Sequence, residues 1–203
     1  MTPDEFRVLL DQSTDLQLLD PCLYDEAAPY VFESEPASWD KFRDALALSL
    51  MVARTDIRVV GSARLGFSMK PWQNLRSFQD TSDIDVLVVN QTLFDELWGL
   101  LLTAAYPRPP VTDALGGWLR ARRSEVYTGW LTPVEIRLDR RIFGERATPV
   151  LNLATRWFNA LKQASQFPPR RHEDVQGRLY RTWRHAELYH LYSLAELRRS
   201  LEE

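Results

Sequence analysis

Apolar side chains recur along this chain at two spacings, and the spacings separate helices from strands. Short apolar runs at residues 57–60 and 86–89, the second entered through Ser82-Asp83-Ile84-Asp85, have the length and β-branched content of buried strands. Trp39, Phe42, Ala45, Leu46, Ser49 and Leu50 fall at helical spacing, with Ser38 as the expected N-cap and an end near Thr55. A helix over residues 91–106 follows the second strand and is closed by Pro107-Arg108-Pro109-Pro110. At residues 133–139, apolar Val134, Ile136 and Leu138 alternate with Glu135, Arg137 and Asp139, the pattern of a half-buried strand. Two more helices are expected over 150–166 and 173–201, parted by Pro168-Pro169. Residues 1–37 join a short helical stretch at 3–10 to Pro21, Pro29 and Pro36, which predicts an irregular leader.

The expected fold class is therefore α+β, a mixed sheet flanked by helices on one side, with its carboxylates on the open face. Three regions follow: the leader (1–37), a core (38–147), and a C-terminal helical region packed on that core (148–203).

The composition narrows the function classes. The chain has 203 residues and 45% hydrophobic content, enough for one well-buried domain. Its 25 Lys+Arg against 28 Asp+Glu leave a net charge of -3, which argues against coating nucleic acid by bulk charge. A lone Cys22 has no partner for an intramolecular disulfide, and so few thiols suit a cytoplasmic protein; Cys22 itself is expected to pack. Met1-Thr2-Pro3-Asp4-Glu5 is acidic and lacks the order of a signal peptide, and the longest apolar runs are too short to span a bilayer, so no membrane partner is expected.

The candidate chemistry lies at two strand ends. Asp83 and Asp85 are two apart on a strand and so project from one face. Paired carboxylates repel unless a cation neutralises them, and Mg²⁺ favours hard oxygen ligands together with substrate phosphates. Gly61, just after the first apolar run, allows a tight turn and a close backbone approach to a ligand. Ser62 and the amides after it are candidate phosphate donors, with Arg64 as a nearby cation. Either motif alone is an ordinary turn or strand end; the two in this order, each beside an apolar strand, point to nucleotidyl transfer.

Gly61-Ser62-Ala63-Arg64-Leu65-Gly66 followed by Ser82-Asp83-Ile84-Asp85-Val86-Leu87-Val88 resembles the DNA polymerase beta-like nucleotidyltransferase superfamily. The resemblance covers roughly residues 38 to 140 and makes 38–147 the catalytic core. It implies a metal-dependent, pyrophosphate-releasing enzyme that moves a nucleoside monophosphate from an NTP or dNTP to a hydroxyl. It also implies two Mg²⁺ ions, replaceable by Mn²⁺, held by Asp83, Asp85 and a third carboxylate, with Gly61, Ser62 and Arg64 binding the nucleotide. Glu135, between Val134 and Ile136, matches the family's third acidic position; Asp139 on the same predicted strand is the alternative ligand.

Stand-alone members of this kind resemble enzymes of phage defence (antiviral) or toxin–antitoxin modules. The resemblance thus implies a nucleotide signal or short oligonucleotide as product, with a short single-stranded oligonucleotide and an effector or toxin protein as partners. The alternative is an antitoxin-type protein that adenylylates a partner toxin, or binds and neutralises it by contact. A small-molecule modifying enzyme would need Glu125 or Asp139 turned toward the metals.

The remaining features divide between packing and binding. Residues 67–81, with Met69, Lys70, Pro71, Trp72, Arg76 and Phe78, read either as an acceptor-binding lid or as a surface loop pinned by Trp72 and Phe78. The mixture of Arg170, Arg171, Arg178, Arg181 and Arg184 with Tyr180 and Trp183 reads as a packed amphipathic helix before it reads as a phosphate grip. His172, His185 and His190 lack zinc-site spacing and are read as structural or exposed. Tyr189 and Tyr192 offer hydroxyls, with packing the first reading.

Overall fold

The computed structural model describes residues 1–79, 81–106, 113–136, 138–167 and 174–202. Along the chain run α1 (Pro3–Gln12), α2 (Asp15–Leu19), α3 (Pro36–Leu50), β1 (Ile57–Val60), α4 (Ser62–Leu65), β2 (Ile84–Val89) and α5 (Gln91–Ala105). They are followed by α6 (Asp113–Thr128), β3 (Trp130–Leu131), α7 (Arg140–Phe143), α8 (Ala147–Ala164), β4 (Val175–Tyr180) and α9 (Trp183–Glu202). The fold is α+β, with one four-stranded mixed sheet in the order β1-β2-β4-β3.

β2 is a central strand. It pairs antiparallel with β1, setting Val60 opposite Asp85, and parallel with β4, setting Asp85 alongside Gln176. β3 closes the far edge, with Trp130 opposite Tyr180. Because side chains alternate across a strand, each face takes every second residue. Ile57, Val59, Ile84, Val86, Val88 and Leu179 join the core made by α3, α5 and α8, including Phe42, Leu97 and Trp157. Gly177 lets α8 approach this face closely: a Cβ there would stand 3.1 Å from Leu161 and Trp157. Leu87, Val89 and Tyr180 face the other way, into a second core with Phe6, Leu18 and Leu194 of α1, α2 and α9.

Helices therefore cover both faces, not one as expected, and the leader is not irregular. Thr2 and Thr14 cap α1 and α2 with reciprocal capping boxes. A π-turn at Asp20–Tyr24 and a 3-10 turn at Tyr30–Phe32 carry the chain to α3. Arg198 of α9 binds Asp15 at 2.8 Å and the carbonyl of Ser13 at 3.0 Å, which fastens α9 to the α1–α2 corner.

Three other expectations change. The helix predicted over 173–201 is a strand and then a helix, because Val175, Gly177 and Leu179 alternate with Gln176, Arg178 and Tyr180 at period two. A boundary at 147/148 therefore runs through the sheet, since β4 lies beside β2. The strand predicted over 133–139 stops at Leu131; Pro133 has no N–H for a ladder, and Pro133–Glu135 forms a 3-10 turn. Ile136 and Leu138 are still buried, and Arg137 lies outside the described residues. Helix α3 starts at Pro36 with Glu35 at the N-cap, so Ser38 is buried inside its first turn instead of capping it. It ends at Met51 in the left-handed conformation, φ 58°.

Residues 118–127, which carry Arg120, Arg122 and Arg123, lie within α6. The stop at Pro107-Arg108-Pro109-Pro110 and the Pro168-Pro169 break lie outside the described residues. Among the described residues, no helix is long and apolar enough to cross a membrane.

Candidate functional site

The second face is not fully closed. Where α9 and the loop after α4 part, a cavity of about 790 Å³ opens over Asp85, Gln176 and Arg178, on the floor formed by β2 and β4. The pairing of Val60 with Asp85 brings the end of β1 beside this floor, so the next residue, Gly61, turns directly against the carboxylate. Gly61 has φ +65°, a conformation that disfavours any side chain, and a Cβ there would lie 3.4 Å from Asp85 Oδ2. Gly61, Ser62, Asp83 and Asp85 all line the cavity. The structure thus joins two motifs that lie apart in the chain.

The Asp85 side chain is exposed to the cavity, yet the surrounding protein withdraws its carboxyl from water enough to push it above its usual range. Burial is the main cause; the charge of Lys70 opposes it, Asp83 adds to it, and Arg178 opposes it. Lys70 and Arg76 reach the cavity from the loop after α4. That loop is a small hairpin: Phe67 bridges Ser77, Ser68 N–H donates to the carbonyl of Arg76 at 2.8 Å, and Phe78 N–H donates to that of Gly66 at 2.8 Å. Phe67, 5.2 Å from Phe6, and buried Leu75 anchor it. Trp72 is 79% exposed at the cavity rim, so it is not one of the pins. Phe78 does pack, edge-on to Tyr30.

Arg64 is not brought to the cavity. Its side chain pairs with Asp25 and donates to the carbonyls of Pro21 and Ala27, so it ties α4 to the leader. Glu135 does line the cavity, but it is engaged by Arg122 at 3.2 Å. Arg122 also pairs at 2.5 Å with buried Glu125, whose carboxyl is pushed up by burial. Among the described residues, no three His, Cys, Asp or Glu side chains gather as a group able to hold a metal. Asp139 lies away from the cavity lining: it caps α7, accepting from Arg141 N–H at 2.8 Å, a bond that holds its carboxyl below the usual range. Neither Glu125 nor Asp139 is turned toward Asp83 and Asp85 as the small-molecule reading requires.

Arg178 is not on a helix as expected. It is a strand residue on the Asp85 face, and its guanidinium lies 4.6 Å from the ring centres of both Trp130 and Tyr189. The hydroxyls of Tyr180 and Tyr189 lie near enough to act on its charge. His190, also lining the cavity, is 5% exposed, and its pKa is pushed down to about 4 by burial first and the Arg178 charge second. The signal was the period-two alternation of 175–180, which a helical reading conceals. Arg181 pairs with Asp95 at 2.9 Å and Arg184 with Glu187 at 3.0 Å, as packing predicts. Cys22 is buried, its thiol pushed up to about 12 mainly by burial. Arg170, Arg171 and His172 lie outside the described residues.

No family model, curated protein or solved structure matches the chain.

Proposed function

We propose that this chain is a metal-dependent nucleotidyltransferase, joining a nucleoside monophosphate from a nucleoside triphosphate to a hydroxyl. The observation that carries this reading is the register of β1 on β2, which folds the Gly61-Ser62 turn against the Asp85 carboxylate in one cavity. The resemblance to polymerase beta-like enzymes rests on the same residues.

The donor set suits magnesium. Asp83 and Asp85 offer hard oxygens on one face, and Mg²⁺ is commonly held by one or two carboxylates with water and substrate phosphates completing the shell. Bound there, it supplies Lewis acidity toward the phosphate and a more acidic hydroxyl. The chain's own groups do the rest. Gly61 keeps the turn free of side-chain bulk beside Asp85, and Ser62 offers its hydroxyl to a phosphate oxygen. Lys70 and Arg76 set positive charge at the mouth for the departing pyrophosphate. In the reaction an acceptor O–P bond forms at the α-phosphorus as the α–β bridging P–O bond breaks; pyrophosphate leaves and the hydroxyl proton passes to water.

Glu135 stands apart from this set, held by Arg122. That observation favours a second reading, in which the chain binds a Mg²⁺–nucleotide and acts on a partner protein by contact. Incubation with Mg²⁺ and each labelled ribo- and deoxyribonucleoside triphosphate separates the two. Nucleotidyl transfer gives a labelled product and pyrophosphate, reduced at least about a hundredfold in the Asp83→Ala/Asp85→Ala variant. Nucleotide binding without turnover, alone or with any acceptor class, selects the contact reading.

A further inference from the structure

Asp85 has two unlike flanks. On the β1 side lies the Gly61-Ser62 turn; on the β4 side lie Gln176, in register with Asp85, and Arg178, one step further along the same face. Half-buried Arg178 has aromatic faces and phenol oxygens around it, but no ion pair with a carboxylate among the described residues. A cation withdrawn from water without an anionic partner is costly, and an oxyanion is the ligand that fits a planar guanidinium. Two nitrogens on this floor, Arg178 Nε and His190 Nε2, are buried and have no hydrogen-bond partner. His190 is itself 5% exposed and lines the cavity, so a guanidinium without a carboxylate ion pair and a ring nitrogen without a hydrogen-bond partner lie at one place.

We propose that Arg178, with His190 beside it, is the receptor for a phosphate group carried by the hydroxyl-bearing acceptor. The proposal rests on the nucleotidyl-transfer reading for its word "acceptor". In-line displacement needs the attacking and leaving oxygens on opposite sides of phosphorus. The Gly61-Ser62 flank takes the triphosphate, and the Arg178 flank, across β2, is left for the attacking molecule. Trp130 and Tyr189 fix the plane of the guanidinium, so the site selects a phosphate at a set orientation and discriminates against neutral polyols.

The test uses the full chain in EDTA, with inorganic phosphate as probe. At constant pH, phosphate is expected to shift the His190 ring resonances in an NMR spectrum and leave those of His185 in place. By calorimetry, phosphate affinity falls at least about tenfold in Arg178→Gln and is kept in Arg181→Gln, a neighbouring arginine that pairs with Asp95 outside the cavity lining. Unmoved His190 resonances overturn the proposal in the wild-type chain, whether or not Arg178→Gln folds. Loss of binding in Ser62→Ala with retention in Arg178→Gln overturns the assignment of flanks. A nucleoside 5′-monophosphate and a sugar phosphate, titrated in parallel, identify the source by which binds more tightly through Arg178; binding of neither, nor of phosphate, overturns the site. Phosphate binding at Arg178 in a chain that shows no nucleotidyl transfer removes the enzyme reading and leaves the phosphate site standing.

Discussion

Ile84, Val86 and Val88 point from β2 into a wholly apolar core under α5 and α8, while Asp85, Leu87 and Val89 of the same strand point toward α9 and the cavity. On the first face helices pack directly on the sheet, and Gly177 brings Trp157 and Leu161 within van der Waals reach of the backbone. On the second, helices from the two ends of the chain close only part of the surface and leave Asp85, Arg178 and His190 around a hollow. One strand thus builds a core with its even-numbered residues and turns a carboxylate, Asp85, to the cavity. Burial on the first face favours folding; on the second it raises the energy of charges that a ligand can relieve.

Substitutions on the two faces should separate these roles. Trp157→Ala, which empties a side chain 1% exposed, should lower unfolding free energy by about 3–5 kcal/mol in urea titrations. A loss below about 1 kcal/mol would erase the contrast between the faces. Acid should act on the cavity side. His190 has a pKa near 4 in the folded chain and near the usual 6.5 when unfolded. The unfolded state therefore binds the extra proton first, and stability falls as pH drops from about 6.5 to about 4, then levels. The full span is of the order of 3 kcal/mol. His190→Gln should flatten the pH dependence of the denaturation midpoint across that window relative to wild type.

Asp85→Asn gives the smallest expected change in stability and the opposite sign. Because burial pushes the Asp85 carboxyl up, the charged form opposes folding at neutral pH, so the amide should leave the melting temperature unchanged or slightly raised. If the proposed nucleotidyl transfer holds, labelled product should disappear in the same variant. A marked fall in melting temperature would make Asp85 a structural partner of Lys70 or Arg178 instead.

Local pattern exposed part of this arrangement. β1, β2 and α8 were legible because their apolar residues lie close in sequence and fit one period each. β4 was not, because Gln176 and Arg178 interrupt its apolar residues and the long helical pattern of α9 begins directly after it. The order of the Gly61-Ser62 and Asp83-Asp85 motifs points to one shared chemistry, but their contact is visible only in the fold, where Gly61 turns beside Asp85. Arg64 and Glu135 show the limit of such inference. Their partners, Asp25 for one and Arg122 for the other, are chosen by tertiary packing, which no spacing rule encodes. Arg178 was hidden for a related reason: the rings that hold it come from β3, β4 and α9 together.

The clasp of Arg198 on Asp15 and Ser13 also has a consequence for biogenesis. As the ribosome releases the chain, α1 and α2 emerge long before the helix they must grip. Until α9 follows, Leu87, Val89 and the inner sides of α1 and α2 lack their cover, and the hollow around Asp85 has no far wall. Nascent molecules thereby leave the cavity face uncovered until translation has passed α9, and interrupted products would reach quality control with that apolar surface bare.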